Sequence, residues 1–464
     1  MMELERLVAA TGAVDVIGRA AVRIEDLAYA TQAVAPGALF FCVPGARVDG
    51  HDLAPDAVAR GAVALAVERP LDLPVPQLVV PDTRAAMAPA ADLFFGRPTQ
   101  ELEVAGVTGT NGKTTTTFLL YAILAAAGRR PGLVGTIEAR VGGERRGVAH
   151  TTPEAIDLQR LFREMLDADD RSVAIEASSH ASALHRLDCV RFSVLVFTNL
   201  SHEHLDFHAD MEDYFQAKRR LFFAGEPPAA VCVDDEYGRR LAAELDGATT
   251  FGFAEDADVG PAALRDVALK LRGRFNVQNA LGALAAARLL GIEEAAIVRG
   301  LESVRGVPGR FESIDEGQPF EVVVDYAHKP LALETLLRAV RDLGSGRVIC
   351  VFGCGGERDR EKRPQMGRIA SELADIVIVT NDNPRGEDPD EILDAIVAGA
   401  VREVEVEPDR GRAIARAVEL AEEGDVVLIA GKGAEQGQEF ADRTIPFDDR
   451  DAAREALRAL GART

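Results

Sequence analysis

The sequence predicts an α/β protein of several domains whose sheets are largely parallel. Short apolar runs of β-type residues alternate with helical patterns along the whole chain, which is typical of strand–helix–strand units. A chain of 464 residues is also longer than one hydrophobic core usually supports. In addition, nearly every predicted strand outside the N-terminal region ends in a polar or glycine-rich loop. Because open α/β sheets bind ligands at the carboxyl ends of their strands, these loops are the candidate functional regions.

The order of these runs divides the chain into three predicted domains, residues 1–98, 99–307 and 308–464. Strands are predicted over Ala38–Val43, Gln77–Val80, Leu102–Val107, Val173–Ile175, Val194–Phe197, Glu321–Val324, Arg347–Phe352, Ile376–Thr380 and Val426–Ala430. The loops that follow the strands of the last two domains read TGTNGKT, EASSH, TNLSHEHLD, DYAHKP, GCGGERD, TNDNPR and AGKGAE. Loops are generally polar, but these carry unusual chemistry.

Composition and charge limit the classes of function. The formal net charge of −23 disfavours binding to a nucleic-acid backbone or an anionic membrane. No apolar run approaches the roughly 20 residues needed to span a bilayer, and the acidic N-terminus does not resemble a signal peptide. We therefore expect a cytoplasmic protein that neither enters membranes nor binds nucleic acid. A monomer is expected as well. The five cysteines, with no CxxC pair, are typical of reduced thiols.

The clearest motif is a glycine-rich loop, GVTGTNGKTT, between a predicted strand and a helix predicted from Thr114 to Ala127. Converging backbone N–H groups and the start of a helix bind phosphate. In such a loop Lys113 is expected to reach the β- and γ-phosphates and Thr114 to ligate Mg²⁺. Val107 stands where the common phosphate-loop pattern has its first glycine. The ATP-binding residues predicted here are Gly109, Thr110, Asn111, Gly112, Lys113, Thr114 and Thr115.

This loop resembles the phosphate loop of the Mur ligases and their folylpolyglutamate synthetase relatives, and the resemblance covers essentially the whole chain. It implies a three-domain Mur ligase architecture with a central P-loop-type parallel sheet and a C-terminal Rossmann-like domain. The three domains would bind the UDP-linked substrate, ATP and an amino acid, in that order. The resemblance also implies that ATP and a carboxylate form an acyl phosphate, from which an amine displaces phosphate. The implied cofactors are ATP and Mg²⁺.

The same resemblance assigns catalytic residues in the central domain. Glu176 in the EASS sequence matches a metal-binding glutamate, and His204 in NLSHEHLD matches a second metal ligand. Lys218 matches a lysine that is carbamylated in the family, which converts a cation into a metal-binding anion. The catalytic residues implied are Lys113, Glu176, His204 and Lys218, and the metal ligands implied are Thr114, Glu176, His204 and Lys218.

Four further residues resemble the ATP-facing positions of the family. Asn279 is implied for the adenine side and Asp325 for the ribose. Arg310 is implied to help close the third domain over the triphosphate. His328 belongs to the same group through the DYAH motif.

The resemblance extends to contacts with a UDP-linked muramoyl dipeptide. Residues 34–41 and 45–52 resemble the uridine-nucleotide domain of the family. The contacts implied are Thr31, Thr151, Thr152, Ser178 and Arg186. Ala30 and Gln32 depart from the family's Asp-Ser-Arg and lose a carboxylate and a guanidinium.

The last domain is implied to select the amino acid. The sequence DNPR resembles the motif of the family members that add meso-2,6-diaminopimelate, which differs from lysine by a second carboxylate. Arginine presents a planar fork that binds carboxylate bidentately. The pocket residues implied are Arg358, Asp382, Asn383, Pro384, Arg385, Gly431 and Glu435, with Glu435 meeting the distal ammonium. Leu331 and Ala434 depart from the residues usual in the family.

We therefore expect an ATP-dependent ligase that adds meso-2,6-diaminopimelate to UDP-N-acetylmuramoyl-L-alanyl-D-glutamate in peptidoglycan precursor synthesis. The alternatives are the same ligation with L-lysine, a folylpolyglutamate synthetase, a weakened substrate-binding partner and a plain P-loop ATPase. The DNPR loop argues against lysine, and the long N-terminal domain argues against a folylpolyglutamate synthetase. The intact catalytic residues argue against a weakened protein.

Overall fold

The computed structural model describes residues 1–45 and 48–461. Residues 46 and 47, inside the 45–52 motif predicted for uridine binding, lie outside the described residues. The chain forms two compact units, one made of Met1–Val267 and Gln278–Ser303, the other of Ala268–Val277 and Val304–Thr464. The predicted division after residue 98 falls inside the first unit, so the division into three domains stays a prediction.

The N-terminal part of the first unit is built around a mostly parallel sheet. Its elements are β1 (Met2–Glu3), α1 (Leu4–Thr11), β2 (Asp15–Ile17), β3 (Arg23–Ile24), β4 (Asp26–Ala28), β5 (Ala38–Phe41), α2 (Ala54–Ala59), β6 (Ala62–Val67), β7 (Gln77–Val79) and α3 (Thr83–Phe94). The strand order is β2-β7-β6-β5-β4, with β2 antiparallel and the others parallel. All four residues of β5 are buried, as expected for an inner strand of a parallel sheet.

The rest of the first unit contains the central sheet. Its elements are β8 (Glu103–Thr108), α4 (Lys113–Ala126), β9 (Pro131–Val134), β10 (Ala139–Val141), β11 (Glu144–Arg146), α5 (Ala155–Asp167), β12 (Ser172–Glu176), α6 (Ser179–Ala183), β13 (Phe192–Phe197), α7 (Met211–Phe223), β14 (Ala229–Cys232), α8 (Glu236–Glu244), β15 (Thr249–Phe251), α9 (Arg274–Leu289) and α10 (Glu294–Ser303). The first four residues of α9 belong to the second unit. The strand order is β11-β10-β9-β12-β8-β13-β14-β15. Strands β12, β8 and β13 are adjacent and parallel, so their three predicted functional loops lie at the same edge.

The second unit contains a C-terminal sheet of order β16-β17-β21-β18-β19-β20. Its elements are β16 (Glu312–Ser313), β17 (Glu321–Asp325), α11 (Pro330–Arg341), β18 (Val348–Phe352), α12 (Lys362–Leu373), β19 (Ile376–Val379), α13 (Pro389–Val397), β20 (Glu405–Val406), α14 (Arg410–Leu420), β21 (Val426–Ala430), β22 (Gly437–Glu439), β23 (Thr444–Pro446) and α15 (Asp449–Gly461). Strands β17, β21, β18 and β19 are parallel, which places four of the predicted loops at one edge.

Short 3-10 helices occur at Thr31–Ala33, Pro98–Gln100 and Pro261–Leu264. Among the helices of residues 1–45 and 48–461, none has both the length and the apolar character that crossing a bilayer requires.

Candidate active site

The phosphate loop connects β8 to α4, and two of its glycines are required by their surroundings. Gly109 has φ +144° and Gly112 has φ +84°, a backbone region that residues with a Cβ rarely adopt. A Cβ at Gly109 would lie 1.9 Å from Thr198 Oγ1, and one at Gly112 would lie 2.2 Å from Asn279 Oδ1. The loop is therefore packed against Thr198, which follows β13, and against Asn279 of α9, the residue implied for the adenine side.

The polar side chains of the loop hold its backbone in place. Lys113 Nζ donates to the carbonyls of Gly109 and Thr110, at 3.1 and 2.8 Å. Thr110 Oγ1 accepts from Ser201 N at 3.0 Å and hydrogen-bonds Tyr214 OH at 3.1 Å. The lysine thus reaches back over its own loop, where a bound phosphate would also lie. Asn111 and Thr115 belong to the same loop and to the first turn of α4.

Glu176 at the end of β12 lies directly beside the phosphate loop. Its side chain is buried, and Oε2 accepts from Thr114 Oγ1 at 3.0 Å. Oε1 accepts from Thr136 N at 2.7 Å, and the Thr136 hydroxyl donates to Oε2 at 3.1 Å. The structure therefore brings together two of the predicted metal ligands, Thr114 and Glu176.

Lys218 projects from α7 toward the same loop. It is 1% exposed, and its Nζ donates to Gly109 O at 2.8 Å, the carbonyl that also accepts from Lys113. Burial holds the pKa of the Lys218 ammonium well below its usual range; the positive charge of Lys113 adds to this shift, and Glu203 opposes it. Two lysines thus converge on one carbonyl, where the resemblance places phosphate and metal chemistry.

His204 is linked to Lys218 through an aromatic ring that sequence reasoning missed. The Lys218 Nζ lies 4.5 Å from the centroid of the Tyr214 ring, and the His204 ring lies 5.9 Å from the same centroid. His204 has φ +59°, and its Nε2 lies 3.4 Å from Glu203 Oε1. Tyr214 and Lys218 are four residues apart on α7 and therefore share a helix face, a spacing that could have indicated the contact.

The residues predicted to contact the UDP-linked dipeptide mostly meet beside Glu176. Thr152 Oγ1 donates to Glu176 O at 2.6 Å and accepts from Ser178 N at 3.3 Å. Arg186 Nη1 donates to Thr152 O at 3.0 Å. The hydroxyl of Thr151 lies 3.1 Å from that of Thr136, which donates to Glu176. The structure thus joins Thr151, Thr152, Ser178 and Arg186 to the end of β12.

Thr31 begins the short 3-10 helix after β4, and within the described residues no hydrogen bond or ion pair joins it to that group. Ala30 and Gln32, the neighbours of Thr31, depart from the family pattern. Ala30 precedes the 3-10 helix and does not cap it with its side chain, and Gln32 is exposed.

Arg186 already has a carboxylate partner that sequence reasoning missed. Glu154 lies 2.8 Å from Arg186 Nη2 and 3.1 Å from Arg84 Nη1. The Nε of Arg186 is buried and has no hydrogen-bond partner in the described part of the chain. Two guanidinium groups around one carboxylate leave a net positive charge, which suits the anionic group that Arg186 was predicted to meet.

In the second unit, several residues predicted for the amino-acid pocket meet where β19 and β21 end. Asn383 Nδ2 donates to Glu435 Oε2 at 3.0 Å. Gly431 has φ +120°, and a Cβ there would lie 2.7 Å from Asp382 Oδ2. The structure therefore brings Asp382, Asn383, Gly431 and Glu435 together.

Arg385 is held by the hairpin of β22 and β23. Its backbone has φ +53°, and its N–H donates to Glu439 O at 3.0 Å. Its Nε donates to Glu439 Oε2 at 2.8 Å, and its Nη1 donates to Gly356 O at 2.9 Å. A Cβ at Gly355 would lie 3.1 Å from Arg385 Nη1 and 3.8 Å from Arg358 Cγ, so the two predicted arginines flank this glycine. Glu439 was not predicted as the partner of Arg385, because it belongs to none of the motifs recognised in the sequence.

The buried Lys432 was also missed, although its loop, AGKGAE, was recognised. Its Nζ donates to Asn383 Oδ1 at 2.8 Å and to Glu435 Oε2 at 3.1 Å. Pro384, between Asn383 and Arg385, is buried in the same loop. A lysine with no exposed side-chain surface between two predicted pocket residues is a functional candidate.

The predicted ATP-facing residues of the second unit meet at the end of β17. The carboxylate of Asp325 accepts from the N–H groups of Phe311 and Ala327, each at 2.7 Å. The guanidinium of Arg310 lies 4.4 Å from the centroid of the Tyr326 ring, and His328 Nδ1 lies 2.8 Å from Tyr326 O.

Two other residues noted as departures from the family pattern also lie in this unit. The backbone of Ala434 packs against Gly309, where an added Cβ would lie 2.1 Å from Ala434 N. Leu331 is 48% exposed on α11.

Comparison with known proteins identifies the family of this chain. Three family descriptions match: Mur ligase family, catalytic domain, over residues 23–94; Mur ligase middle domain, over 107–287; and Mur ligase, glutamate ligase domain, over 309–433. Two relatives named UDP-N-acetylmuramoyl-L-alanyl-D-glutamate–2,6-diaminopimelate ligase come from Solibacter usitatus and Gloeobacter violaceus. The first is 45% identical over 95% of this chain and 95% of its own length. The second is 44% identical over 98% of both chains.

A solved structure of a protein with the same name superposes with a TM-score of 0.69 at 29% identity, covering 99% of both chains. The likeness confirms the predicted α/β fold class, and the relatives confirm the predicted family. This chain belongs to the Mur ligase family.

Proposed function

We propose that this protein is an ATP-dependent ligase that adds meso-2,6-diaminopimelate to UDP-N-acetylmuramoyl-L-alanyl-D-glutamate, in peptidoglycan precursor synthesis. The observation that carries the proposal is the contact of the phosphate loop with the end of β12 and with Lys218 on α7. There Thr114 bonds Glu176, and Lys113 and Lys218 share the Gly109 carbonyl. The names of the relatives support the same activity.

The residues present fit a Mg²⁺ ion. Among the residues that the structure describes, no three His, Cys, Asp or Glu side chains cluster tightly enough to form a metal site by themselves. Mg²⁺ prefers one or two protein oxygens together with substrate phosphates and water, and Thr114 and Glu176 provide such oxygens. The ion would neutralise charge on the phosphates, and His204 and a carbamylated Lys218 would complete the set that we propose.

The reaction joins a carboxylate and an amine at the expense of ATP. The dipeptide carboxylate attacks the γ-phosphorus, ADP leaves and an acyl phosphate forms. The amine of diaminopimelate then attacks the acyl carbon, phosphate leaves and the amine loses a proton to solvent. The chain contributes the backbone N–H groups of the phosphate loop and the cation of Lys113, which stabilise the negative charge that develops during transfer.

We propose that Thr151, Thr152, Ser178 and Arg186 place the dipeptide carboxylate beside Glu176, to which they are joined by the contacts described above. Asn279, Arg310 and Asp325 are proposed to bind the nucleotide. The contact of Thr31 with the uridine part, the cytoplasmic location and the monomeric state remain predictions.

Selection of diaminopimelate rests on Arg385. Its Nε and Nη1 are held by Glu439 and Gly356, while Nη2 makes no hydrogen bond to a described residue. A guanidinium fixed in this way can receive the second carboxylate of diaminopimelate without first being ordered. A hydrogen bond to a charged group contributes roughly 1.5–3 kcal/mol, or about tenfold to a hundredfold in discrimination. L-Lysine lacks this carboxylate and should react poorly.

The test is a panel of amino acids supplied with the UDP-linked dipeptide and ATP, with the product identified by its mass. Wild type should form the diaminopimelate product, and Arg385→Ala should lower kcat/KM for diaminopimelate far more than for lysine. Arg443→Ala, on the same hairpin but 62% exposed and paired with Asp442, is the matched control. A preference of the wild type for lysine would overturn the specificity but not the ligase activity. Phosphate release without dipeptide would instead favour a plain ATPase.

A further inference from the structure

Lys432 occupies an unusual position for a lysine. It follows Gly431 at the end of β21, and its side chain has no exposed surface. Its Nζ lies 2.8 Å from Asn383 Oδ1, 3.1 Å from Glu435 Oε2 and 3.8 Å from Asp382 Oδ1. The ammonium donates hydrogen bonds to Asn383 and Glu435, while Asp382 pairs with its charge at a longer distance. Burial of a charge is costly unless it is paired, so the two carboxylates account for its presence.

The contacts of Lys432 fix the orientation of the neighbouring amide. Asn383 Oδ1 accepts from Lys432 Nζ and also from Glu439 N, at 3.0 Å. Because the oxygen is held by these two donors, the amide nitrogen must point the other way, toward Glu435 Oε2, to which it donates at 3.0 Å. Lys432 therefore acts on Glu435 both directly and through Asn383.

Both donors meet the same oxygen of Glu435. Oε2 accepts from Lys432 and from Asn383, whereas Oε1 makes no hydrogen bond within residues 1–45 and 48–461. The Glu435 side chain is 38% exposed, although Lys432 beneath it is fully buried. Hydrogen bonds to Oε2 therefore hold the carboxylate in place, and Oε1 remains available to a ligand at the edge of the sheet.

The charges around Lys432 suit one further cation. Asp382 and Glu435 carry two negative charges and Lys432 supplies one positive charge. The nearby Arg410 is neutralised by its own partner Asp449, so one negative charge remains for a ligand. Arg385, joined to Asn383 through Glu439, presents its guanidinium for a carboxylate. The distal end of diaminopimelate carries one ammonium and one carboxylate, which matches both.

We propose that Lys432 is a positioning residue that orients Glu435 toward the distal ammonium of the diamino acid, an inference that rests on the proposed function. Without its charge, Asp382 and Glu435 would repel each other and the Asn383 amide would lose the donor that sets its direction. Lys432 itself does not touch the substrate.

The experiment compares diaminopimelate with 2-aminopimelate, which keeps both carboxylates but lacks the distal amine. Wild type should favour diaminopimelate in kcat/KM by about tenfold or more, since a charged hydrogen bond is lost with the analogue. Lys432→Met should reduce this ratio to a few-fold at most, with KM for ATP and for the UDP-linked dipeptide little changed. Added to Glu435→Gln, the same substitution should reduce the ratio no further, because Lys432 acts through Glu435.

The control is Lys362→Met, which removes another buried lysine of the second unit. Lys362 is 8% exposed, and its Nζ donates to the carbonyl of His328 at 2.9 Å. Its charge acts on Asp382, but within the described residues it makes no hydrogen bond to Glu435 or Asn383, so the diaminopimelate ratio should stay close to the wild-type value. If Lys432→Met does not fold, Lys432→Gln takes its place.

An unchanged ratio in the folded variant, or an equal fall in kcat/KM for both amino acids, would overturn the role of Lys432 and leave a structural lysine. Additive effects of Lys432→Met and Glu435→Gln would also overturn it. A wild type that ligates neither amino acid would instead refute the proposed function.

Discussion

Asp449→Asn should destabilise the second unit strongly, because it breaks a fully buried ion pair. Arg410 at the start of α14 meets Asp449 at the start of α15 through Nε–Oδ1 and Nη2–Oδ2 contacts of 2.6 and 2.7 Å. Both side chains are 0% exposed. Asparagine has nearly the same shape but no charge, so the guanidinium would remain buried without its hydrogen-bonded counterion, and only the more distant Asp382 and Glu435 would offset its charge. Breaking a buried pair in this way costs about 3–5 kcal/mol, a large part of the 5–15 kcal/mol that stabilises a typical domain, to order of magnitude.

An exposed pair of the same geometry provides the control. Arg458 meets Glu316 through contacts of 3.0 and 2.9 Å in the same unit, but the arginine side chain is 65% exposed. After Glu316→Gln only the guanidinium of Arg458 remains charged, and water solvates it, so the free energy of unfolding should change far less than in Asp449→Asn. Urea unfolding followed by far-UV circular dichroism measures both, since the chain has no tryptophan for fluorescence.

The same pair should influence the amino-acid pocket. Arg410 Nη2 donates to Ala430 O at 3.0 Å and Nη1 donates to Asn381 O at 3.4 Å. These carbonyls immediately precede Gly431 and Asp382, so folded Asp449→Asn should also show a raised KM for diaminopimelate. Equal losses of unfolding free energy in Asp449→Asn and Glu316→Gln would refute the reasoning, because the two pairs differ mainly in burial.

Two further predictions concern the phosphate loop. Lys218→Ala should lose most ligase activity and recover part of it with a short carboxylic acid, which can replace a carbamate. Lys113→Ala loses a cation instead, so it should show no recovery in the same turnover assay. Recovery of activity in both variants, or in neither, would contradict carbamylation of Lys218. Gly112→Ala should weaken ATP binding measured by calorimetry, because its Cβ would meet Asn279 Oδ1 at 2.2 Å. The control is Gly128→Ala at the other end of α4, where φ is +74° and nothing lies within 4 Å of the added Cβ, so this variant should bind ATP normally. Equal losses of ATP affinity in the two variants would show that the positive φ, and not the contact with Asn279, causes the loss.

The sequence by itself determined the strands and the loops that follow them. The strand predicted over Val426–Ala430 has the same bounds in the structure, and the helix predicted from Thr114 to Ala127 begins and ends one residue earlier. Apolar runs, glycines and the start of a helix are local features, so they can be recognised without knowing the fold. The resemblance to Mur ligases rested on such loops, and the family was confirmed.

The sequence did not identify the partners of the site residues. Glu154 beside Arg186, Tyr214 beside Lys218 and Glu439 beside Arg385 follow no motif that the sequence analysis used. Glu439 is 54 residues from Arg385 along the chain, and it reaches the guanidinium only because the β22–β23 hairpin lies against the loop after β19.

The tertiary structure decided which charges are buried together. Lys432 lies 49 residues from Asn383 in the chain, and Arg410 lies 39 residues from Asp449. Sequence composition predicts such side chains to be solvated, because lysine and arginine are rarely buried unless they are paired. Whether a partner is present depends on the strand order β17-β21-β18-β19, which brings the ends of separate strands to one edge. That order is fixed by how the helices and strands pack against one another, and the local pattern of residues within a single strand does not specify it.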